Sequence, residues 1–227
     1  MTNIKLSKRL NAIASMVTNT KYLADIGCDH ALLDIYLIKQ KIIEKSIACD
    51  ITEGALNQAK KNIMINNITK IETRLGDGLE KITAKDKIDT IVLSGLGNVK
   101  IREILFNGKD KLKNINTIII QSNTNCPDIR KTLIDLGYNV SDEVIVKENN
   151  IFYIVIKFVK GIKKYSDREI YFGPVLLANK DKLFKEMYGA EIKNNNKIIR
   201  KLPYNKISRK IKLYILNFKI KKEIKNL

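Results

Sequence analysis

Residues 24–30 read ADIGCDH and gather two acids, a thiol and the only histidine of a 227-residue chain. Three chemistries suit those residue types. Cysteine, aspartate and histidine could hold a metal. His30 could act as a base, histidine being the residue type suited to proton transfer near neutral pH. An apolar run ending in Asp-x-Gly could open a nucleotide-binding loop. Cys-x-His at a strand-to-helix turn is not a recurrent tetrahedral pattern, and Cys49 lies in an apolar run where a small buried thiol is ordinary, so no metal is expected. No GxSxG elbow accompanies the histidine, which argues against a hydrolytic triad. Capping of the next helix by Asp29, shaping of the loop by His30 and contact between His30 and a substrate stay open.

Two further acids favour the cofactor reading. Asp25 and Gly27 fall at the carboxyl end of a first β-rich run, where an open α/β sheet binds its ligand. The next run, SIACDI, ends in Asp50 and Ile51, close to the spacing at which an acid meets ribose hydroxyls. Asp77, in GDGLE, can take the exocyclic amine of an adenine while Gly76 and Gly78 clear space. Three carboxylates around one crevice repel a pyrophosphate, which disfavours NAD and FAD. They suit a cationic amino-acid end, a ribose and an adenine, namely S-adenosyl-L-methionine. The candidate cofactor residues are Asp25, Gly27, Asp29, Asp50, Ile51, Asp77, Gly78 and Gly95; the competing reading makes the acids caps or solvated loop residues. A fourth run ends in LSGLGN, where Gly95 and Gly97 let a methyl acceptor approach, so His30, Ser94 and Asn98 are the catalytic candidates.

The runs KYLADIG, SIACDI, IETRLGD, DTIVLSG and NTIIIQS are short and β-branched, with segments between them long enough for crossover helices. They predict a parallel α/β sheet. NVSDEVIVK and IFYIVIKFV are separated by only ENN, and Asn149 and Asn150 tolerate a tight hairpin, so the last strands must be antiparallel. The expected fold is a class I, Rossmann-like methyltransferase sheet over residues 1–162, opened by an amphipathic helix over 4–17 with Leu6, Leu10, Ile13 and Val17 on one face. Residues 163–227 predict a basic, coiled-coil-like helical hairpin jointed at Pro203. In it Leu176, Leu177, Leu183 and Phe184 would pair with Ile207, Ile211, Tyr214, Ile215 and Phe218.

The chain carries 42 basic against 24 acidic residues, a net charge of +18. A polyanion is therefore the leading partner, although codon bias toward lysine offers a blander origin. From residue 165 onward sixteen bases face six acids. Lys5, Lys8, Arg9, Arg200, Lys201, Arg209 and Lys210 are the candidate RNA contacts. A dimerising coiled coil is the alternative use of the appendage. Three scattered cysteines, no long apolar leader and no membrane-length apolar run predict a soluble, cytoplasmic protein without membrane attachment; a monomer is expected.

With LSKRL, ADIGCDHALL, GDGLE, SGLG and FGPVLL in place along the chain, the sequence resembles the bacterial TrmK family of tRNA adenine-N1 methyltransferases. The resemblance implies S-adenosylmethionine-dependent methylation of N1 of adenosine 22 in the tRNA D-arm. A methyltransferase of another RNA or of a small molecule, or a non-catalytic RNA-binding protein, are the alternatives. Family members commonly carry G-M-G-G where this chain has Gly95, Leu96, Gly97 and Asn98, Q-P-N where it has Gln121, Ser122 and Asn123, and glutamate in place of Asp50.

Overall fold

The structure is a computed structural model and describes residues 4–122 and 126–225; Asn123 lies outside the described residues. The seven β-rich runs form strands β1 Tyr22–Ile26, β2 Lys45–Asp50, β3 Ile71–Leu75, β4 Thr90–Leu96, β5 Thr117–Ser122, β6 Tyr138–Glu148 and β7 Ile151–Lys160. They make one sheet in the order β3-β2-β1-β4-β5-β7-β6. β1 to β5 are parallel, whereas β7 is antiparallel to both β5 and β6. The β6–β7 turn takes Asn149 and Asn150 to φ 50° and 61°, left-handed values that asparagine tolerates. Strand order reverses at β1 and β4, so their carboxyl ends open the crevice in which such sheets bind ligands.

Alternation along the strands buries both faces of the sheet. Ala24 and Ile26, Ile91 and Leu93, Ile118 and Ile120, and Ile156 and Phe158 face one side with Ile101, Leu105 and Ile129. Leu23, Val92, Ile119 and Val155 face the other, against Ile13, Leu33 and Leu37. The helices are α1 Lys8–Met16, α2 Leu32–Lys39, α3 Glu53–Ile65, α4 Asn98–Asn107, α5 Cys126–Asp135, α6 Asp167–Phe172, α7 Pro174–Asn179, α8 Lys182–Lys201 and α9 Ile207–Ile224. α1 is shorter than expected. Ser7 caps it by accepting from the Leu10 N–H at 3.2 Å, although Leu6 and Val17 outside its ends are still buried.

The chain forms two compact units, Met1–Val175 and Leu176–Leu227, so the first extends beyond the boundary expected at 162. The reason is a buried ion pair. Arg130 Nε donates to Glu143 Oε1 at 2.6 Å, both side chains fully buried, while Arg130 Nη1 donates to the carbonyls of Ile170 and Tyr171 in α6. Glu143 Oε2 accepts the Val175 N–H at 3.1 Å. The FGP stretch thus belongs to the sheet unit, with α6 stopped at Gly173 (φ 92°) and Pro174 starting α7.

In the second unit, Lys180 pairs with Glu223 at 2.9 Å while Asn195 donates to Asn217 at 2.9 Å, so α8 and α9 run antiparallel. The predicted pairing of α9 is corrected. Ile207, Ile211, Tyr214, Ile215 and Phe218 are all exposed, and the residues buried on α9 are Asn217, Ile220 and Glu223. Asn217 in turn donates to Asn196 at 3.0 Å, and this set of asparagine bonds forms only in one alignment, which fixes the register.

Candidate active site

At the carboxyl ends of β1, β2 and β4 lies a cavity of about 410 Å³, and Asp25, Gly27, Asp29, His30, Asp50, Ile51, Asp77, Gly78, Ser94 and Gly95 all line it. The loop after β1 is tightly wound. Gly27, Asp29 and Ala31 all take positive φ, and the N–H groups of Gly27 and Cys28 donate to the Cys49 carbonyl at 2.9 and 3.0 Å. The N-cap of α2 is Ala31, with no side-chain hydrogen bond, so Asp29 does not cap the helix. Asp29 is instead exposed, 3.4 Å from His30 Nε2, with the imidazole half exposed. The Asp29 N–H donates to Asp50 Oδ2 at 3.3 Å, and Asp50 Oδ1 accepts from the Thr52 N–H and hydroxyl. Asp50 therefore ties the first two strand-end loops together.

Asp25 is the most constrained acid. It is buried, and its Oδ1 has no hydrogen-bond partner. Asp34 of α2 is fully buried as well, accepting from the Ser46 hydroxyl and facing the Asp25 carboxyl. Burial first, and then the Asp34 charge, raise the Asp25 carboxyl well above the usual range. Burial raises Asp34 to about 6, with the Ser46 hydroxyl opposing the shift. Burial and mutual repulsion thus oppose ionising both acids of the pair together.

Asp77 meets Lys100 Nζ at 3.0 Å, and Lys100 also reaches Glu103. Gly78 (φ 55°) is required by packing, since a Cβ there would stand 2.9 Å from Ile104. At the other wall, β4 slips against β5 between Ser94 and Leu96, and Gly95 takes φ 76°. The Gly95 N–H and Arg9 Nη1 both donate to Gln121 Oε1, at 3.0 and 2.9 Å. Asn98 does not line the cavity; its Nδ2 lies 3.5 Å from Asp128 in α5's first turn. Among the described residues no cluster of three His, Cys, Asp or Glu could hold a metal. Cys28, Cys49 and Cys126 are free and buried, and burial pushes the Cys49 thiol up to about 12. No described helix is long and apolar enough to cross a membrane.

The residues present fit S-adenosylmethionine: a buried, unpartnered carboxylate oxygen is suited to an ammonium, and acids rather than a phosphate cradle line the strand ends. The model of the family described as TrmK, tRNA (adenine(22)-N(1))-methyltransferase, matches residues 23–226. The chain belongs to the TrmK family. It is 32% identical over 214 residues to the Bacillus subtilis (strain 168) tRNA (adenine(22)-N(1))-methyltransferase, covering 89% of this chain and 87% of that protein. A Streptococcus pneumoniae protein solved in complex with S-adenosyl-L-methionine superimposes with a TM-score of 0.90 at 30% identity, over 97% of this chain and all of that one. M. capricolum TrmK, in complex with S-adenosyl-homocysteine, gives 0.87 at 34% identity over 97% and 98% of the two chains.

Against the family's sheet the residues of this chain divide clearly. The strand-end acids, Ser94 and Gly95 converge on one cavity, as does Arg9, which was expected among the surface bases. Lys5 and Lys8 are exposed, Lys8 being held through its N–H by Glu148 at 2.8 Å. Arg200, Lys201 and Arg209 are exposed in the second unit, where Lys210 lies 5.2 Å over the Tyr204 ring. Asp34, Lys100 and Gln121 were missed. The one available signal was Asp34, an acid inside the apolar run ALLDIYL, where a charge has no solvated face.

Proposed function

We propose that this protein transfers the methyl group of S-adenosylmethionine to N1 of adenosine 22 in the D-arm of tRNA, as a cytoplasmic monomer. The observation that carries this reading is the convergence of Asp25, Asp50 and Asp77 on one cavity at the strand-order reversal. Asp25 accepts the cofactor's ammonium, Asp50 the ribose hydroxyls, and Asp77 the adenine amine, with Ile51 lying along the adenine. Gly27 and Gly95 keep the backbone close, and Asp29 holds the loop through its N–H.

When bound, the cofactor supplies a methyl group on a sulfonium with a neutral leaving group. Adenine N1 has a free lone pair, so the protein needs no strong base. It needs alignment of the reacting atoms within about 3–3.5 Å. His30 and Ser94 are the groups positioned to meet the base. Methylation leaves a cation on the adenine, which the acid-lined wall stabilises as it develops. N1 lies on the pairing edge, so the base must leave its stack at a cost of a few kcal/mol. Phosphate contacts from Lys5, Lys8, Arg200, Lys201, Arg209 and Lys210 offset that cost.

Replacing Arg200, Lys201, Arg209 and Lys210 together by alanine tests the polyanion half of this reading. The slope of log affinity for tRNA against log salt is expected to shrink by about 3 to 4, near 0.9 per lost phosphate contact. Calorimetric affinity for S-adenosylmethionine should stay the same. An unchanged salt slope contradicts the role of these bases.

A further inference from the structure

We infer that Arg9 is a substrate-positioning residue that grips a backbone phosphate beside the nucleotide whose base enters the cavity. The inference rests on the tRNA reading above and gives Arg9 a role different from that of the exposed bases.

Arg9 sits on α1, yet its side chain forms part of the cavity wall on the side of Ser94 and Gly95. Its Nη1 lies 3.5 Å from where a Cβ on residue 95 would stand. Two contacts hold the guanidinium without neutralising it. Gln121, fully buried at the end of β5, accepts from Arg9 at 2.9 Å through the oxygen that also accepts the Gly95 N–H. The Tyr153 ring lies beneath the guanidinium, 5.5 Å from its carbon to the ring centroid. Among the described residues Arg9 has no carboxylate partner, and only one of its five N–H donors is engaged. The other cation of the cavity, Lys100, is tied to Asp77 and Glu103.

A fixed, un-neutralised guanidinium is a receptor for an oxyanion. The chemistry of the substrate decides which part of it Arg9 meets. The adenine ring gains positive charge as N1 is methylated, so a guanidinium against the ring would oppose the reaction. The flanking phosphates are anionic throughout and match the planar fork. Through Gln121 the fork shares its anchor with the Gly95 turn, so the phosphate and the base-facing loop are held in one frame.

Arg9→Gln removes the charge and leaves an uncharged polar side chain on α1. It should lower kcat/KM for tRNA by about 10- to 100-fold, the range for a charge-assisted hydrogen bond. The salt slope of tRNA binding should shrink by about 0.9, with S-adenosylmethionine affinity and melting temperature close to those of the wild type. A second measurement needs no folded variant: wild-type protein is given a tRNA with an uncharged methylphosphonate at either linkage flanking adenosine 22. One of these substrates should reproduce the loss, and Arg9→Gln should lose no more on it. Wild-type kcat/KM and salt slope in Arg9→Gln, a parallel fall in cofactor affinity, or additive losses would each overturn the inference. Absence of any methyl transfer by the wild type would strike at the tRNA reading itself.

Discussion

Asp25→Asn is expected to raise the melting temperature and, at the same time, to weaken S-adenosylmethionine binding by about 100- to 1,000-fold, the cost of losing one partner of a buried charge pair. The opposite signs have one cause. Asp25 and Asp34 are buried beside each other, and burial opposes ionising both. An amide at position 25 never has to ionise in the buried site and can donate to Asp34. It cannot offer a carboxylate to the cofactor's ammonium. Stability is exchanged for binding, as at many functional sites.

The pH dependence follows from the direction of the shifts. Both carboxyls are raised in the folded protein, Asp34 to about 6 and Asp25 well above its usual value. Below about 3.9, the ordinary aspartate value, folded and unfolded chains are both protonated and the pair costs nothing. As pH rises through the folded values, the unfolded chain has already released its protons while the native chain must ionise buried groups, so stability declines. The melting temperature of the wild type should therefore fall across this window, and that of Asp25→Asn should fall less. Binding an ammonium favours charged Asp25, so cofactor binding should expel a proton. The calorimetric heat should then depend on the ionisation enthalpy of the buffer in the wild type and lose that dependence in Asp25→Asn. Identical heats in all buffers for the wild type would refute the assignment.

Arg130→Met should have the largest effect on folding. It leaves Glu143 buried without its cation and strips the Ile170 and Tyr171 carbonyls of their donor, a loss of about 3–5 kcal/mol. In a unit of this size the melting temperature should fall on the order of 10 °C. Gly173→Ala should act on the same cluster. Its φ of 92° disfavours any side chain, and an added Cβ would press into the Glu143 carboxylate and the Arg130 guanidinium. Neither residue lines the cavity, so the folded fraction of both variants should bind S-adenosylmethionine normally. Thermal melts with a binding titration on the same samples check both statements, and wild-type melting of Arg130→Met would show that the pair does not hold α6 to the sheet.

The sheet was legible because each strand is a short β-branched run with its own break, and because ENN is too short for anything but a hairpin. The strand-end acids were legible because chain spacing between strand ends maps directly onto neighbouring positions in a parallel sheet. Burial was harder to read. α9 has two apolar stripes, and periodicity selected the denser one, Ile207 to Phe218, while the seam uses the sparser one with its asparagine. Periodicity says which faces are apolar, not which one a neighbour covers. Arg9 illustrates the same limit for charge. Its basic surroundings in the sequence suggested a solvated helix face, and only Gln121, 112 residues later, turns it into the cavity. The FGP stretch was likewise visible as a motif, but its attachment to the sheet depends on Arg130 and Glu143, distant in the chain.

The most direct test of the central claim is to incubate the protein with S-adenosylmethionine and an unmodified tRNA transcript bearing adenosine at position 22, then map the modified nucleoside. One N1-methyladenosine is expected, at position 22, and none in a transcript whose adenosine 22 has been replaced. No methyl transfer to the transcript, or a methyl group carried at another nucleotide, would contradict it.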